Sequence, residues 1–243
     1  MVLELGGSDA FIVLADADLA AAAQYAVRSR FQNAGQSCIA AKRFIIVADV
    51  VAAFIERFVA EAKQLRIGDP LDRATQMGPM ARGDLRTALH QQVQASVAQG
   101  AQVALGGAPL PGQGYFYPPT ILTQVTATMP VFQEETFGPV AAVIQARDTE
   151  EAIALANQSS FGLGGNLWTR DLDHARQLAR RLECGGVFIN GMTASDPRLP
   201  FGGVKHSGYG RELAAFGIRE FTNIQTVWIG PAQEAASAEP ASE

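Results

Sequence analysis

The chain has 243 residues, of which 48% are hydrophobic and 18% are charged, and this balance excludes disordered, collagen-like and coiled-coil proteins. With 19 basic and 24 acidic residues, the net charge of -5 leaves no cationic surface for nucleic acid. Two distant cysteines and three histidines predict neither a disulfide framework nor a metal site.

Nothing in the sequence indicates secretion or a membrane partner. The first residues lack the basic segment and the long apolar run of a signal peptide. No apolar run reaches the roughly 18–20 residues of a transmembrane helix. We therefore expect a cytoplasmic protein whose cysteines stay reduced.

Predicted strands and helices alternate along most of the chain. The predicted strands cover residues 10–14, 43–47, 102–106, 115–122, 140–146 and 186–189. The predicted helices cover residues 19–31, 51–65, 81–99, 149–157 and 171–182. Strands that alternate with helices favour an α/β fold with a mainly parallel sheet and helical crossovers.

The first predicted helix ends close to a cysteine. Asp16 or Asp18 can cap its N-terminus, and Gly35 can adopt the left-handed conformation that would end the helix near Asn33. Cys38 then follows in a loop or a short turn.

The last part of the chain departs from this alternation. Residues 191–212 are rich in Gly, Pro and Ser and predict a long irregular loop, and loops of this length are often functional. Residues 221–229 predict an isolated strand that invites pairing with another chain. Residues 231–243 predict a disordered tail.

Cys38 is a candidate nucleophile because it lies in the polar, glycine-containing segment NAGQSC. If a helix begins there, its backbone N–H groups would lower the pKa of the thiol. The alternative, a small buried apolar residue, is sufficient for Cys184, which lies beside a predicted core strand.

A nucleophilic cysteine needs a base, and the histidines are weak candidates. His90 and His174 fall on amphipathic helices as surface residues, and His206 lies in the long loop. Glu4 stands in an apolar run before two glycines, where burial would raise its pKa towards that of a working base. The alternative is a salt-bridged glutamate near a terminus.

Two acids and an aromatic ring share one predicted loop, Glu134-Glu135-Thr136-Phe137-Gly138-Pro139. The grouping suits hydroxyl recognition and ring packing, although alone it is only a loop. The sequence contains no G-x-G-x-x-G, so it offers no sign of a phosphate cradle.

Seven segments, in order along the chain, closely resemble the aldehyde dehydrogenase superfamily. They are LELGGSDAFIV, FQNAGQSC, GDP with MGPM, YPPTIL, EETFGPV, FGLGGNLWT and PFGGVKHSGYGRE. The further segments AAKRFII, LECGGVFING, ASDPR and FTNIQTVW look most like the bacterial NAD(P)-dependent succinate-semialdehyde dehydrogenases. The resemblance covers nearly the whole chain and implies oxidation of a small semialdehyde with NAD or NADP as cofactor.

The resemblance also implies roles for individual residues. Cys38 would attack the aldehyde to give a thiohemiacetal, which loses a hydride to the cofactor and becomes a thioester, and its backbone N–H would form half of the oxyanion hole. Glu4 would activate the hydrolytic water. Glu135 and Phe137 match the family's contacts to the nicotinamide ribose and ring.

An anionic semialdehyde needs a cation in the substrate site. Some succinate-semialdehyde enzymes carry an arginine a few residues before the nucleophile, where this chain has Gln32. We therefore take Arg198, in the segment SDPRLPF, as a hypothetical partner of the substrate carboxylate, together with Gln32. An exposed loop arginine is the alternative.

The match corresponds only to the second half of a family member, so we expect a truncated enzyme that lacks most of the dinucleotide-binding half. On this view residues 1–220 form the catalytic domain, residues 221–230 form an oligomerisation strand, and residues 231–243 form the tail. The chain alone should be nearly inactive as a dehydrogenase, and it should form a homo-oligomer.

Two alternative functions follow from the same residues. Cys38 and Glu4 could act without a cofactor as a slow thiol esterase. The chain could also be a non-catalytic subunit that pairs through its terminal strand with a complete homologue.

Overall fold

A computed structural model describes residues 1–231 of the chain. It contains eleven strands within this range: β1 (Leu3–Glu4), β2 (Ala10–Val13), β3 (Arg43–Val47), β4 (Gln102–Leu105), β5 (Thr120–Thr123), β6 (Val140–Ala146), β7 (Phe161–Gly162), β8 (Gly164–Trp168), β9 (Gly186–Ile189), β10 (Val204–Lys205) and β11 (Gly208–Tyr209). Seven of them form one sheet in the order β4-β5-β6-β3-β2-β8-β9. Within this seven-stranded sheet, only the β4–β5 pair is antiparallel. The predicted α/β fold with a mainly parallel sheet is therefore confirmed.

The helices cover both faces of this sheet. They are α1 (Leu19–Phe31), α2 (Val51–Ala62), α3 (Gly83–Ala98), α4 (Pro130–Gln133), α5 (Thr149–Asn157), α6 (Leu172–Ala179) and α7 (Ala214–Glu220). Side chains of α1 and α2 pack on one face of the sheet, and side chains of α3, α4, α5 and α6 pack on the other. Alternating side chains of the central strands fill both apolar layers because buried parallel strands have two covered faces.

Several predicted elements are confirmed in position and length. Strands β3, β6 and β9 and helix α5 have the predicted bounds. Asp18 caps α1 through hydrogen bonds from the N–H groups of Ala20 and Ala21.

Other predictions were wrong because glycine and proline were misread. Strand β8 was missed, since its segment GGNLW resembles a loop, yet all five residues are buried, and a Cβ atom on Gly164 would collide with the side chains of Asp9 and Thr193. Strand β5 begins only at Thr120, because Pro118 and Pro119 have no N–H to donate. The long segment after β9 contains the short strands β10 and β11, which pair with β7 and β1.

The predicted strand at residues 221–229 is not present. Within the described residues this segment has no ladder partner, and the side chains of Phe221 and Ile229 are 90% and 88% exposed. A strand needs a paired edge, and nothing else in the described chain supplies one here. The predicted tail at 231–243 lies, beyond residue 231, outside the described residues.

Candidate active site

The turn that carries Cys38 begins where α1 ends. Residues Asn33, Ala34 and Gly35 all have positive φ angles, of 51°, 52° and 72°. The side chain of Asn33 donates to the carbonyl of Gln36 at 2.9 Å, and the Gln36 amide donates back to the carbonyl of Asn33 at 3.1 Å. A side chain on Gly35 would collide with the carbonyl of Gly138. Asn33 and Gly35 therefore shape this turn, and the expectation that Gly35 adopts a left-handed conformation is confirmed.

Cys38 is half-buried at the end of this turn. Burial raises the pKa of Cys38, and the smaller opposing effects of the Lys42 charge and of the Ile39 backbone N–H do not cancel this rise. The predicted lowering of this pKa at a helix N-terminus is therefore wrong, since no helix starts at Cys38. The nucleophile must lose its proton to a neighbouring base.

Glu4 lies on β1, paired with Gly208 of β11. Burial and the nearby charge of Glu212 raise its pKa, with a smaller opposing effect of Arg211, as expected from its apolar surroundings. The Oε1 atom is buried without a hydrogen-bond partner in the described chain. A carboxylate oxygen in this state is suited to accept a proton or a water hydrogen.

The two glycines after Glu4 bring this strand against the nucleophile turn. A Cβ atom on Gly7 would stand 2.3 Å from the carbonyl oxygen of Cys38, so only glycine permits this backbone contact. The charge of the Glu4 carboxylate makes a small contribution to the raised pKa of Cys38. The structure therefore brings together the two segments that carry the predicted nucleophile and the predicted base.

Glu135 joins the same site from the loop after α4. Its Oε1 accepts the N–H of Gly7 at 2.9 Å and lies 3.7 Å from the Nζ of Lys42. Its Oε2 accepts no hydrogen bond within residues 1–231. This oxygen is a free hydrogen-bond acceptor in the described chain, and the ring of Phe137, two residues further along the same loop, is partly exposed.

Neither predicted substrate residue is brought into contact with Cys38. Gln32 lines a surface groove with Arg28 and Leu65. Arg198 is exposed and forms a bidentate ion pair with Asp196, with N–O distances of 2.9 and 2.6 Å. Arg198 is thus placed as the exposed loop arginine of the alternative interpretation.

A cavity of about 440 Å³ opens beside the loop that carries Arg198. Its lining includes Leu163, Ile189, Thr193, Asp196, Leu199 and Phe201. Leu163 also lies 3.5 Å from the position that a Cβ on Gly7 would take, so the cavity adjoins the nucleophile site.

Sequence reasoning missed four buried charged residues that surround this site: Asp9, Arg30, Lys42 and Arg43. Burial lowers the pKa of Lys42 to about 8 and that of Arg30 to about 9, and it raises the pKa of Asp9. Consecutive Lys and Arg at the start of the apolar strand β3 were the available signal, because charged side chains are rarely fully buried without partners.

Arg30 connects three segments of backbone at the site. Its guanidinium donates to the carbonyls of Ala41 at 3.0 Å, Gly35 at 2.6 Å and Gly138 at 2.8 Å. These carbonyls come from the segment that leads into β3, the nucleophile turn and the loop of Glu135. One side chain thereby fixes the turn relative to both its neighbours.

The remaining candidates have other surroundings. His90 contacts the hydroxyl of Tyr117 at 3.1 Å, and His174 and His206 are exposed. Burial raises the pKa of Cys184 to about 12, and its thiol donates to the carbonyl of Gly186. The half-buried position of Cys184 agrees with the interpretation of this residue as a packing residue beside a core strand.

Residues 1–231 contain neither a metal-binding cluster nor a membrane-spanning helix. No group of three or more His, Cys, Asp or Glu side chains is arranged to hold a metal ion. No helix in this range has both the length and the apolar character needed to cross a membrane.

Comparison with known proteins shows which family this chain belongs to. The sequence model of the aldehyde dehydrogenase family matches residues 1–227. The chain is 60% identical over 227 residues to a succinate semialdehyde dehydrogenase [NAD(P)+] of Escherichia coli, covering 93% of this chain and 49% of the relative. It is 56% identical to succinate-semialdehyde dehydrogenase [NADP(+)] 1 of Mycobacterium ulcerans, covering 94% and 50%.

The solved structures that this chain resembles are also aldehyde dehydrogenases. A succinic semialdehyde dehydrogenase from Streptococcus pyogenes, in complex with NADP+, superposes with a TM-score of 0.91 at 39% identity, covering 95% of this chain and 50% of that one. An NAD-dependent aldehyde dehydrogenase from Sinorhizobium meliloti gives 0.93 at 37% identity, covering 98% and 47%. The chain spans about half the length of the curated relatives it matches.

Proposed function

The chain belongs to the aldehyde dehydrogenase family, and from this premise we propose that it oxidises a small semialdehyde, succinate semialdehyde above others, with NAD or NADP. The observation that carries the proposal is the convergence of Cys38 and Glu4, since Gly7 holds their two segments in backbone contact. The names of its relatives support the choice of substrate and cofactor.

Attack by Cys38 requires removal of the thiol proton. The raised pKa of the thiol means that a base must accept this proton, and the raised pKa of Glu4 suits its carboxylate to that task. The sulfur then bonds to the carbonyl carbon, and the carbonyl oxygen becomes an oxyanion. The backbone N–H of Cys38 donates to no acceptor within the described residues, so it is free to stabilise that oxyanion.

The oxyanion re-forms the carbonyl as the carbon loses a hydride to the bound cofactor, which leaves an acyl-cysteine, and hydrolysis of this acyl-cysteine uses the same base. Glu4 takes a proton from a water molecule, whose oxygen adds to the acyl carbon, and the carbon–sulfur bond breaks to release the acid and the thiolate. The unpartnered Oε1 of Glu4 is the acceptor in this step.

A dinucleotide cofactor, when bound, supplies the hydride acceptor for the oxidation. On this chain the Oε2 of Glu135 would accept a ribose hydroxyl, and the ring of Phe137 would pack beside the nicotinamide. The Oε1 of Glu135 is already held by the N–H of Gly7, which orients the carboxylate for this contact.

Recognition of the substrate carboxylate is assigned to Arg198, which would exchange its ion pair with Asp196 for the substrate. The adjoining cavity of about 440 Å³ offers room for a short semialdehyde. Gln32 is a weaker candidate, because the groove that it lines does not share lining residues with this cavity.

A second activity, cofactor-independent thiol esterase, is favoured by one observation. The nucleophile, the base and an unpartnered N–H all lie within residues 1–231, and acyl transfer from an activated ester needs nothing else.

The proposed assembly is a homo-oligomer in the cytoplasm. The exposed apolar residues of segment 221–230 and the unpaired edge of β9 are suited to strand pairing between copies. Pairing of the same segment with a longer homologue is the non-catalytic alternative, which co-purification with that homologue would identify. A monomer on gel filtration would contradict both. Free cysteines agree with a reducing compartment.

The test of the proposed oxidation is NADH or NADPH formation from succinate semialdehyde, with the Cys38→Ser variant as the matched control. We expect little product from the 243-residue chain alone, and product formation that depends on Cys38 once the first half of a family member is supplied. If the 243-residue chain gives none, the assay is repeated with the chain joined to the first half of a family member. Absence of Cys38-dependent product there would contradict the proposal.

A further inference from the structure

Lys42 lies directly beneath the nucleophile turn. Its side chain is fully buried, and its Nζ donates to the carbonyls of Ser37 at 3.1 Å, Cys38 at 3.0 Å and Ala40 at 3.0 Å. An ammonium group has three N–H donors, so these carbonyls use all of them. The three carbonyls belong to the segment that bears the reacting thiol.

Peptide planarity converts these three contacts into a constraint on the opposite side of the backbone. In a trans peptide, the carbonyl of one residue and the N–H of the next point in opposite directions. When Lys42 holds the carbonyl of Ser37, the N–H of Cys38 is turned away from the ammonium. The carbonyl of Cys38 fixes the direction of the Ile39 N–H in the same way, and this N–H acts to lower the pKa of the Cys38 thiol.

Lys42 also places a positive charge next to the thiol. Its ammonium counters the rise in the pKa of Cys38 that burial causes. Burial and the charge of Arg30 lower the pKa of Lys42 to about 8, while the carboxylates of Asp9 and Glu135 oppose that shift. The cation therefore predominates at neutral pH.

The groups that face this pair come from several elements. Asp9 and Glu4 raise the pKa of Cys38, and Lys42 lowers it. Glu135 lies 3.7 Å from Lys42 without taking one of its hydrogen bonds. The charge balance at the thiol is thus set by two carboxylates against one ammonium.

We propose that Lys42 is a positioning residue for the nucleophile: by holding three carbonyls on one side of the turn, it aims the N–H groups of Cys38 and Ile39 at the oxyanion and the thiolate. The inference rests on the proposed role of Cys38 as the nucleophile. Lys42 lies outside the predicted site, and by this proposal it orients the N–H donors for both the oxyanion and the thiolate.

The test compares two reactions of Cys38 in the 243-residue chain. Alkylation by iodoacetamide reports the thiolate and develops no oxyanion, whereas acylation by p-nitrophenyl acetate develops one. The variants are Lys42→Met and Lys42→Gln. The matched control is Lys205→Met, since Lys205 also binds two backbone carbonyls, those of Asn157 and Ser159, in another part of the fold.

In Lys42→Met we expect the pH midpoint of alkylation to rise by about one unit or more, because an opposite charge at this range shifts a pKa by that amount. Acylation should fall further than alkylation, by at least about tenfold in the ratio of the two rates, because the oxyanion donor is no longer held in place. Lys42→Gln should raise the midpoint as well but preserve more of the ratio, since its amide retains two donors. Lys205→Met should change neither.

Folding of each variant is checked by circular dichroism and thermal unfolding. A folded Lys42→Met or Lys42→Gln chain with the wild-type midpoint and ratio would overturn the proposal. Failure of both variants to fold would also overturn it, because Lys42 would then be a structural residue only. If wild-type Cys38 is alkylated but never acylated, the proposed function fails, whereas the alkylation midpoints still test the charge effect of Lys42.

Discussion

Around the Cys38 turn, buried cations bind backbone carbonyls from separate segments, whereas beyond β9 the charged side chains of Arg198 and Asp196 bind each other at the surface. Arg30 reaches three segments from a fully buried position. Arg198 reaches a residue two positions away, and its side chain is 85% exposed. The reacting atoms thus lie on backbone fixed by several contacts, and the residues proposed for substrate choice and assembly lie where few contacts fix them.

The largest effect on stability should come from Arg30→Leu. This change leaves the carbonyls of Ala41, Gly35 and Gly138 without their donor inside the protein, so the free energy of unfolding should fall by about 3–5 kcal/mol. Denaturant unfolding measures the loss. The control is Arg176→Leu, which removes an exposed pair with Asp173 and should cost less than about 0.5 kcal/mol. Equal losses in the two variants would remove the contrast between the regions.

The next effect concerns Glu4→Gln in the hydrolysis of p-nitrophenyl acetate. Because an amide cannot accept the water proton, steady-state turnover should fall about 100-fold. In the wild type, turnover should fall as the pH falls through the pKa of Glu4, which burial places above its usual range, since only the carboxylate acts as base. The variant should lack this limb of the pH profile, and its persistence in the variant would assign the base to another group.

A smaller effect is expected from Gly7→Ala. The new methyl group would meet the carbonyl oxygen of Cys38 at 2.3 Å, so the strand of Glu4 must move from the turn at a cost of about 1–3 kcal/mol. Gly191→Ala is the control, because its nearest atom would be the carbonyl oxygen of Ile189 at 3.9 Å. We expect unfolding and acylation rates to change in the first variant only. Wild-type acylation in Gly7→Ala would show that this contact does not set the site.

The smallest effect should follow from Arg198→Ala, measured on the oxidation of succinate semialdehyde. An exposed charge contributes up to about 1 kcal/mol, so KM should rise roughly two- to fivefold, with no change for a neutral aldehyde of similar size. Asp196→Ala frees the guanidinium and should lower KM. An unchanged KM in both variants would exclude Arg198 as the partner of the substrate carboxylate.

The sequence predicted those strands and helices whose apolar pattern lies in their own residues, and it did not predict those that depend on residues distant in the chain. Periodicity located β3, β6, β9 and α5, because each is a continuous apolar or amphipathic run with a clear end. It missed β8, because Gly164 and Gly165 carry no apolar pattern of their own and are buried by the side chains of Asp9, Thr193 and Cys184, which only the fold brings there. Segment 221–229 forms no strand within one described chain, so the predicted pairing of its β-forming residues with another chain stays a prediction.

The same distinction applies to the site. Cys38 and Glu4 could be found from their immediate sequence and from family resemblance. The direction of the Cys38 pKa shift could not, because it depends on burial by residues distant in the chain. Lys42 and Arg30 were missed since their carbonyl partners are brought together only by the fold.

The proposed function depends on Cys38 acting as the nucleophile and Glu4 acting as the base in one site. Its most direct test is the mass of the Glu4→Gln chain after reaction with p-nitrophenyl acetate, followed by peptide mapping. We expect one acetyl group per chain, on Cys38. As a thioester, this acetyl group should be removed by hydroxylamine, and it should last longer than in the wild type. Acetylation of Cys184 instead, or an acetyl-Cys38 lost at the wild-type rate, would contradict it.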